Sequence, residues 1–233
     1  MITDLKINAE RKQFYYEKGY WTEKTLGDVW ADRVASHPER TYVSDDQGSS
    51  YTYGEIDDKA ARLAAWLVEQ GVAPGDVVTF QMPTWAEFCI VYVAALKAGA
   101  VMHPLPRNFN DADLVYGMNL VGSRAFICPT KVAKVDFESQ ILSIVDQIPT
   151  LGPVALVDKA APKHSELPTV AEICARYEPI EYPPPHHLRR RSLLPVHFRP
   201  HGSAQTGAVL ALYPHPPRPP VCKWLPAIRG PRH

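Results

Sequence analysis

The chain has 233 residues, 45% of them hydrophobic, and 25 Lys/Arg against 25 Asp/Glu, so its formal net charge is zero. That length accommodates one good core, or one domain with an appendage, and no stretch nears the roughly 20 consecutive apolar residues that would span a bilayer. The zero hides an asymmetry: residues 1–182 hold all 25 acidic residues against 17 basic ones, net −8, whereas residues 183–233 hold none, with eight Lys/Arg, six of the nine His and twelve of the 23 Pro.

Taken in chain order, residues 8–18 are polar and aromatic and predict a lead-in helix. Thr25-Leu26 opens a second helix with Leu26, Val29, Trp30 and Val34 at helical spacing, ending near His37-Pro38. Tyr42-Val43 and Tyr51-Thr52-Tyr53 predict two short strands around the turn Asp45-Asp46-Gln47-Gly48. Thr52 and Glu55 have capping-box spacing, and the helix they begin presents Ile56, Leu63, Trp66 and Leu67 on one face until Gly71 stops it. Residues 76–81 (D-V-V-T-F-Q) predict a buried strand. Pro83 is placed in the first turn of the next helix, which runs through Trp85, Phe88, Val91, Tyr92, Ala95 and Leu96 to Gly99. Trp85 is expected on that helix's apolar face, and Glu87 in its first turns suits the dipole.

Ala100-Val101-Met102 predicts a short strand halted by His103-Pro104-Leu105-Pro106. Asn110 or Asp111 caps a helix through Leu114, Val115, Met118 and Leu120. A strand at 125–128, a helix at 136–147, a strand at 154–157 and a short helix at 169–177 complete the pattern. The recurring strand–helix unit predicts an α/β fold, part of a doubly wound, mostly parallel sheet, over residues 1–182. Pro183-Pro184-Pro185 ends the periodicity, and residues 183–233 are expected to form an irregular Pro/Arg/His-rich tail.

The chemical motifs are sparse. No G-x-G-x-x-G follows a strand, and there is no Walker A sequence and no G-x-S-x-G elbow. His103 and Arg107 follow a strand, where α/β sheets often build sites, but a plain loop histidine and a solvated arginine are the competing readings. Cys89, Cys128, Cys174 and Cys222 are widely spaced with no C-x-x-C pair, which predicts free thiols, buried at Cys89 and Cys128. With no apolar core in the opening M-I-T-D-L-K-I-N, the expected location is cytoplasmic. Arg189-Arg190-Arg191 lacks interleaved aromatics and a recognisable module, so no nucleic-acid partner is expected. Pro216-Pro217-Arg218-Pro219-Pro220 is a candidate polyproline ligand, and a weaker one. The cluster Gly202, Ser203, Thr206 and Gly207 has the residue types of a phosphate loop, with no flanking strand and helix to aim its N–H groups.

The run Y-T-Y-G-E-I-D-D-K-A-A-R-L-A-A-W-L-V-E-Q-G-V-A-P-G-D-V-V-T-F-Q-M-P-T-W-A-E-F, followed by A-A-L-K-A-G-A-V-M-H-P-L-P-R, resembles the N-terminal subdomain of adenylate-forming enzymes. It is most similar to acyl-CoA ligases of the fatty-acid or cyclohexanecarboxylate type, over about residues 20–182. The resemblance implies an activity: a carboxylic acid and ATP·Mg²⁺ form an acyl-adenylate, which coenzyme A converts to a thioester. It also implies that the parts performing this chemistry follow residue 182, and that this subdomain packs against them, so that their absence leaves apolar surface bare. No catalytic or metal-binding residue is assigned within the chain, and only Gly202, Ser203, Thr206 and Gly207 are assigned to a degenerate phosphate loop.

The family places a segment like A-A-V-L-F-T-S-G-T-T-G-L-P-K-G where this chain turns basic. Arg189-Arg190-Arg191-Ser192-Leu193, read one base later, can encode Ala-Ala-Val-Leu-Phe, and residues 198–205 can encode Ser-Gly-Pro-Thr-Gly-Leu-Pro-Lys. Four shifted residues separate the two pieces, and the glycine after the shifted lysine comes one position late. The tail is therefore expected to be a frame-displaced read of the phosphate-loop region, with more than one insertion or deletion. The chain is expected to be a truncated acid–CoA ligase without activity of its own. The alternative is a stand-alone α/β binding or interaction module with a basic disordered arm.

Overall fold

The computed structural model describes residues 8–158 and 166–180. The expected boundary at residue 182, the tail and Cys222 lie outside the described residues.

The first helix, α1 (Ala9–Glu17), is capped by the Asn8 side chain and buries none of its residues. Helix α2 (Leu26–Ser36) starts at a capping box between Thr25 and Asp28. Trp30 is its buried anchor, while Leu26 and Val29, expected on the same apolar stripe, are exposed. Strands β1 (Thr41–Ser44) and β2 (Ser50–Thr52) pair antiparallel around the predicted turn. The Thr52–Glu55 capping box then opens α3 (Tyr53–Glu69), whose buried face includes Ile56, Leu63, Trp66 and Leu67 as the spacing predicts.

Four parallel strands make the central sheet: β3 (Val77–Gln81), β4 (Val101–Leu105), β5 (Ser123–Pro129) and β8 (Val154–Val157), in the order β4-β3-β5-β8. Between them run α4 (Ala86–Lys97), α5 (Asp111–Val121), a two-residue hairpin β6 (Lys131–Val132) and β7 (Val135–Asp136), and α6 (Phe137–Ile144) with a 3-10 turn over 145–147. The last element among the described residues is α7 (Val170–Arg176). Period-2 alternation splits the core in two. Val78, Phe80, Met102, Ala125, Ile127, Ala155 and Val157 pack with α3, α4 and α7, whereas Leu105, Phe126, Cys128, Val154 and Leu156 pack with α5 and α6. Helices on both faces and a parallel sheet whose order reverses beside β3 make the fold doubly wound, as the sequence predicts.

Three local expectations change. Pro83 is not in a helical first turn: Trp85 occupies the N-cap with extended backbone, and Pro83 lies two residues earlier, its carbonyl accepting from the Trp85 N–H at 2.8 Å. The capping comes from the β1–β2 turn, where Asp45 Oδ2 accepts from the Ala86 N–H at 2.9 Å. Strand β4 does not stop at Met102 but continues through His103 and Pro104 to Leu105. Among the described residues β4 pairs only with β3, so the N–H that Pro104 lacks is not required on its other side. The helix expected over 136–147 is broken into α6 and the 3-10 turn.

Glycine with left-handed backbone ends four of the described helices, among them α3 at the predicted Gly71, α4 and α5. Gly122, at φ 65°, caps α5. Gly99 follows α4 at φ 68°, and a Cβ there would lie 3.3 Å from Pro74 Cβ, so this stop is sterically reserved for glycine. An ion pair made by a buried lysine ties three helices together. Lys97 of α4, 7% exposed, meets Asp57 of α3 at 2.8 Å, and the same carboxylate oxygen accepts from Trp30 Nε1 of α2 at 2.7 Å.

Candidate functional site

In an open α/β sheet, ligands bind outside the carboxyl ends of the strands, where the strand order reverses. Here that point lies between β3 and β5, and Gln81 ends β3 there, fully buried. Its Nε2 donates to the Pro106 carbonyl at 3.0 Å and approaches the Phe109 carbonyl at 3.5 Å. Gln140 of α6 donates from Nε2 to the same Phe109 carbonyl at 3.3 Å and to Asp111 Oδ1 at 2.9 Å. Two amides from opposite sides thus fix the loop between β4 and α5. Because their neighbours are carbonyl and carboxylate oxygens, the N–H₂ groups must face them, and Gln81 Oε1 and Gln140 Oε1 are left buried with no hydrogen-bond partner among the described residues. Arg107 lies in the turn of this loop with its side chain exposed, consistent with a solvated arginine.

Sequence reasoning passed over both glutamines. The available signal was a polar residue closing the buried run 77–81. Gln140 had none, because its partners lie about 30 positions away.

His103, offered as a post-strand loop residue or a site residue, is instead part of β4 and 5% exposed. Its Nδ1 lies 3.0 Å from Thr79 Oγ1 on β3, and that hydroxyl also bonds Ser123 Oγ on β5. The ring sits beneath α5, where a Cβ at Gly117 would come within 4.0 Å of His103 Cε1. Burial lowers its pKa from 6.5 to about 4, so the imidazole is neutral at pH 7. Enclosed in this way, it is a structural histidine rather than an acid or base for a substrate.

The thiols are also ill suited to nucleophilic work. Burial raises the pKa of Cys89, Cys128 and Cys174, with Cys128 shifted furthest. All three are free; Cys128 is buried as predicted, while Cys89 is half-buried. Glu87 does more than face a helix dipole: it accepts from Ser49 Oγ at 3.1 Å and from the Tyr51 hydroxyl at 3.2 Å. Burial first, then the Glu87 carboxylate, pushes Tyr51 up to about 12. Both contacts anchor the β1–β2 hairpin to α4.

Gly202, Ser203, Thr206 and Gly207 lie outside the described residues. Among the described residues, no group of three or more His, Cys, Asp or Glu could hold a metal ion, and no helix is long and apolar enough to cross a membrane. The described part presents a pinned loop at the strand-order reversal.

The pattern of the family described as AMP-binding enzyme matches residues 30–191. The medium-chain fatty-acid–CoA ligase of Escherichia coli (strain K12) is 36% identical over 167 residues, covering 72% of this chain and 30% of that protein. The salicyl-AMP ligase/salicyl-S-ArCP synthetase of Mycobacterium tuberculosis is 28% identical over 172 residues, again 72% of this chain and 30% of the relative. Among solved structures, the apo structure of Mycobacterium smegmatis MbtA superposes with a TM-score of 0.63 at 27% identity, over 78% of this chain and 33% of that one. The chain thus spans about a third of the length of the relatives it matches.

Proposed function

The chain belongs to the AMP-binding enzyme family, and from that premise we propose that it is the N-terminal α/β subdomain of an acid–CoA ligase, inactive by itself. The observation that carries the reading is the match to the medium-chain fatty-acid–CoA ligase, which runs through most of the folded part and reaches only 30% of that enzyme. An intact ligase of this kind would join a carboxylic acid to ATP as an acyl-adenylate and pass the acyl group to coenzyme A. The carboxylate is a poor electrophile, and adenylation makes it a good one. Charge developing at phosphorus has to be met by Mg²⁺, a lysine and backbone N–H groups.

The described residues contribute a frame for that chemistry. The sheet sets the strand ends, and Gln81 and Gln140 hold the β4–α5 loop beside them. Phosphate binding would fall to residues of the type Gly202, Ser203, Thr206 and Gly207, which lack the Pro-Lys-Gly that should follow in the frame as read. We read residues 183–233 as that region displaced by a change of reading frame. A fatty acid of medium length is the substrate class favoured by the strongest of the similarities described above, and a cytoplasmic enzyme is expected. None of the three comparisons favours the stand-alone binding module.

Sequencing the coding DNA across and beyond residues 183–233 tests the reading. A shifted frame that continues the ligase sequence is expected. Failure of every shifted frame to continue it would refute the displaced-loop explanation.

A further inference from the structure

Helix α1 carries aromatic side chains that the core does not use. None of its residues is buried, and no ring between positions 14 and 21 joins either core cluster. Phe14 is 47% exposed and Tyr20 69% exposed. Exposed apolar surface gathered in one place marks a binding site more often than a lone exposed residue does.

The backbone sets these rings. Gly19, left-handed at φ 69°, reverses the chain after α1. Its N–H donates to the Tyr16 carbonyl at 3.0 Å, and the Tyr20 N–H donates to the Tyr15 carbonyl at 2.9 Å. That pair of bonds is a Schellman closure, which lays Tyr20 back over the last helical turn. Phe14, Tyr15 and Tyr20 then stand at the corners of a triangle. Their centroids are 5.8, 6.4 and 6.2 Å apart, and their planes are inclined at 60°, 67° and 54°. Trp21 supports Tyr15 from a centroid distance of 5.0 Å.

Rings inclined like the walls of a triangular enclosure can turn their electron-rich faces on one point. A cation at the mouth of this triangle lies within about 6 Å of all three centroids, the reach of a cation–π contact. The surrounding charge favours one. Glu10 and Glu17 lie one helical turn either side of Phe14, and the negative end of the α1 dipole is here. Two ammonium groups already stand against the cluster: Lys18 Nζ is 5.8 Å from the Phe14 centroid, and Lys12 Nζ is 5.9 Å from that of Tyr16. A lysine ammonium is strongly hydrated, whereas a trimethylammonium group spreads its charge over methyls and sheds water easily. We propose that Phe14, Tyr15 and Tyr20 form a cage for the trimethylammonium group of a small soluble compound such as choline or a betaine. The cage does not depend on the functional reading above.

The test titrates choline with the full 233-residue chain and follows the ligand's methyl proton resonance by NMR. The expected result is a saturable upfield shift, the mark of protons held over ring faces, and no such shift for the uncharged isostere with carbon in place of nitrogen. Tyr20→Phe should bind like the parent. Tyr20→Leu keeps apolar bulk but removes one ring face, and should weaken binding about fivefold. Both variants should melt with the parent, because Tyr20 is exposed and α1 buries nothing. No saturable shift, an equal shift for the uncharged isostere, or equal affinity of Tyr20→Leu would each overturn the cage. Sedimentation of the chain with phosphatidylcholine vesicles, without a response to free choline, would overturn the soluble source.

Discussion

The most informative perturbation of this fold is the proton that His103 refuses. The ring is 5% exposed, bonded through Nδ1 to Thr79 and covered by α5 at Gly117, and burial is what lowers its pKa to about 4. In the unfolded chain the same ring titrates near 6.5. The unfolded state therefore binds a proton first as the pH falls, and stability is lost. The contribution is complete above pH 6.5, declines between 6.5 and about 4, and is constant below. Linkage converts the shift into a loss of about 2 kcal/mol at pH 5 and about 3 kcal/mol at pH 4, relative to pH 7. His103→Asn keeps a polar group near the Nδ1 position and removes the titration. Urea unfolding followed by tryptophan fluorescence measures both chains at pH 7 and pH 5. The variant should be the less stable at pH 7, since it leaves part of the ring's space empty, and the gap should narrow by about 2 kcal/mol at pH 5. An unchanged gap would refute a buried, neutral His103.

Three further outcomes follow from packing. Asp57→Ala removes a partner of buried Lys97 and of Trp30 Nε1, and should lower unfolding free energy by about 2 kcal/mol in the same urea assay. Gly99→Ala should cost more than about 1 kcal/mol, because φ 68° disfavours a side chain and the new Cβ meets Pro74; a neutral result would contradict the tight stop after α4. Thr52→Ala, which removes one half of a capping box, should lower stability by about 1 kcal/mol without shifting the acid transition.

How far the sequence discloses the molecule depends on the range over which each feature is encoded. The α3 start is local: Thr52 and Glu55 are three residues apart, and their reciprocal bonds form where the spacing predicts. The strands of the parallel sheet are nearly as local, because apolar runs such as residues 77–81 admit few alternatives. Strand β4 is misjudged because Pro104 is tolerated only through its position beside β3, a tertiary fact. The true cap of α4 is hidden for the same reason, since Asp45 is 41 positions from Ala86. His103 looks like a loop residue until the strand carries it under α5. At the strand ends, Gln81 is visible as a polar residue in an apolar strand, but Gln140 and the Phe109 carbonyl they share are brought together only by folding. The cluster at residues 202–207, proposed as a degenerate phosphate loop, is legible as residue types alone.

The central claim is that this chain carries the family's frame without its chemistry. It is tested most directly by incubating the purified 233-residue chain with ATP, Mg²⁺, coenzyme A and a medium-chain fatty acid, and measuring acyl-CoA formed and pyrophosphate released. The account predicts neither product above the level of a control without protein. Sustained formation of both, in proportion to the amount of chain, would contradict it.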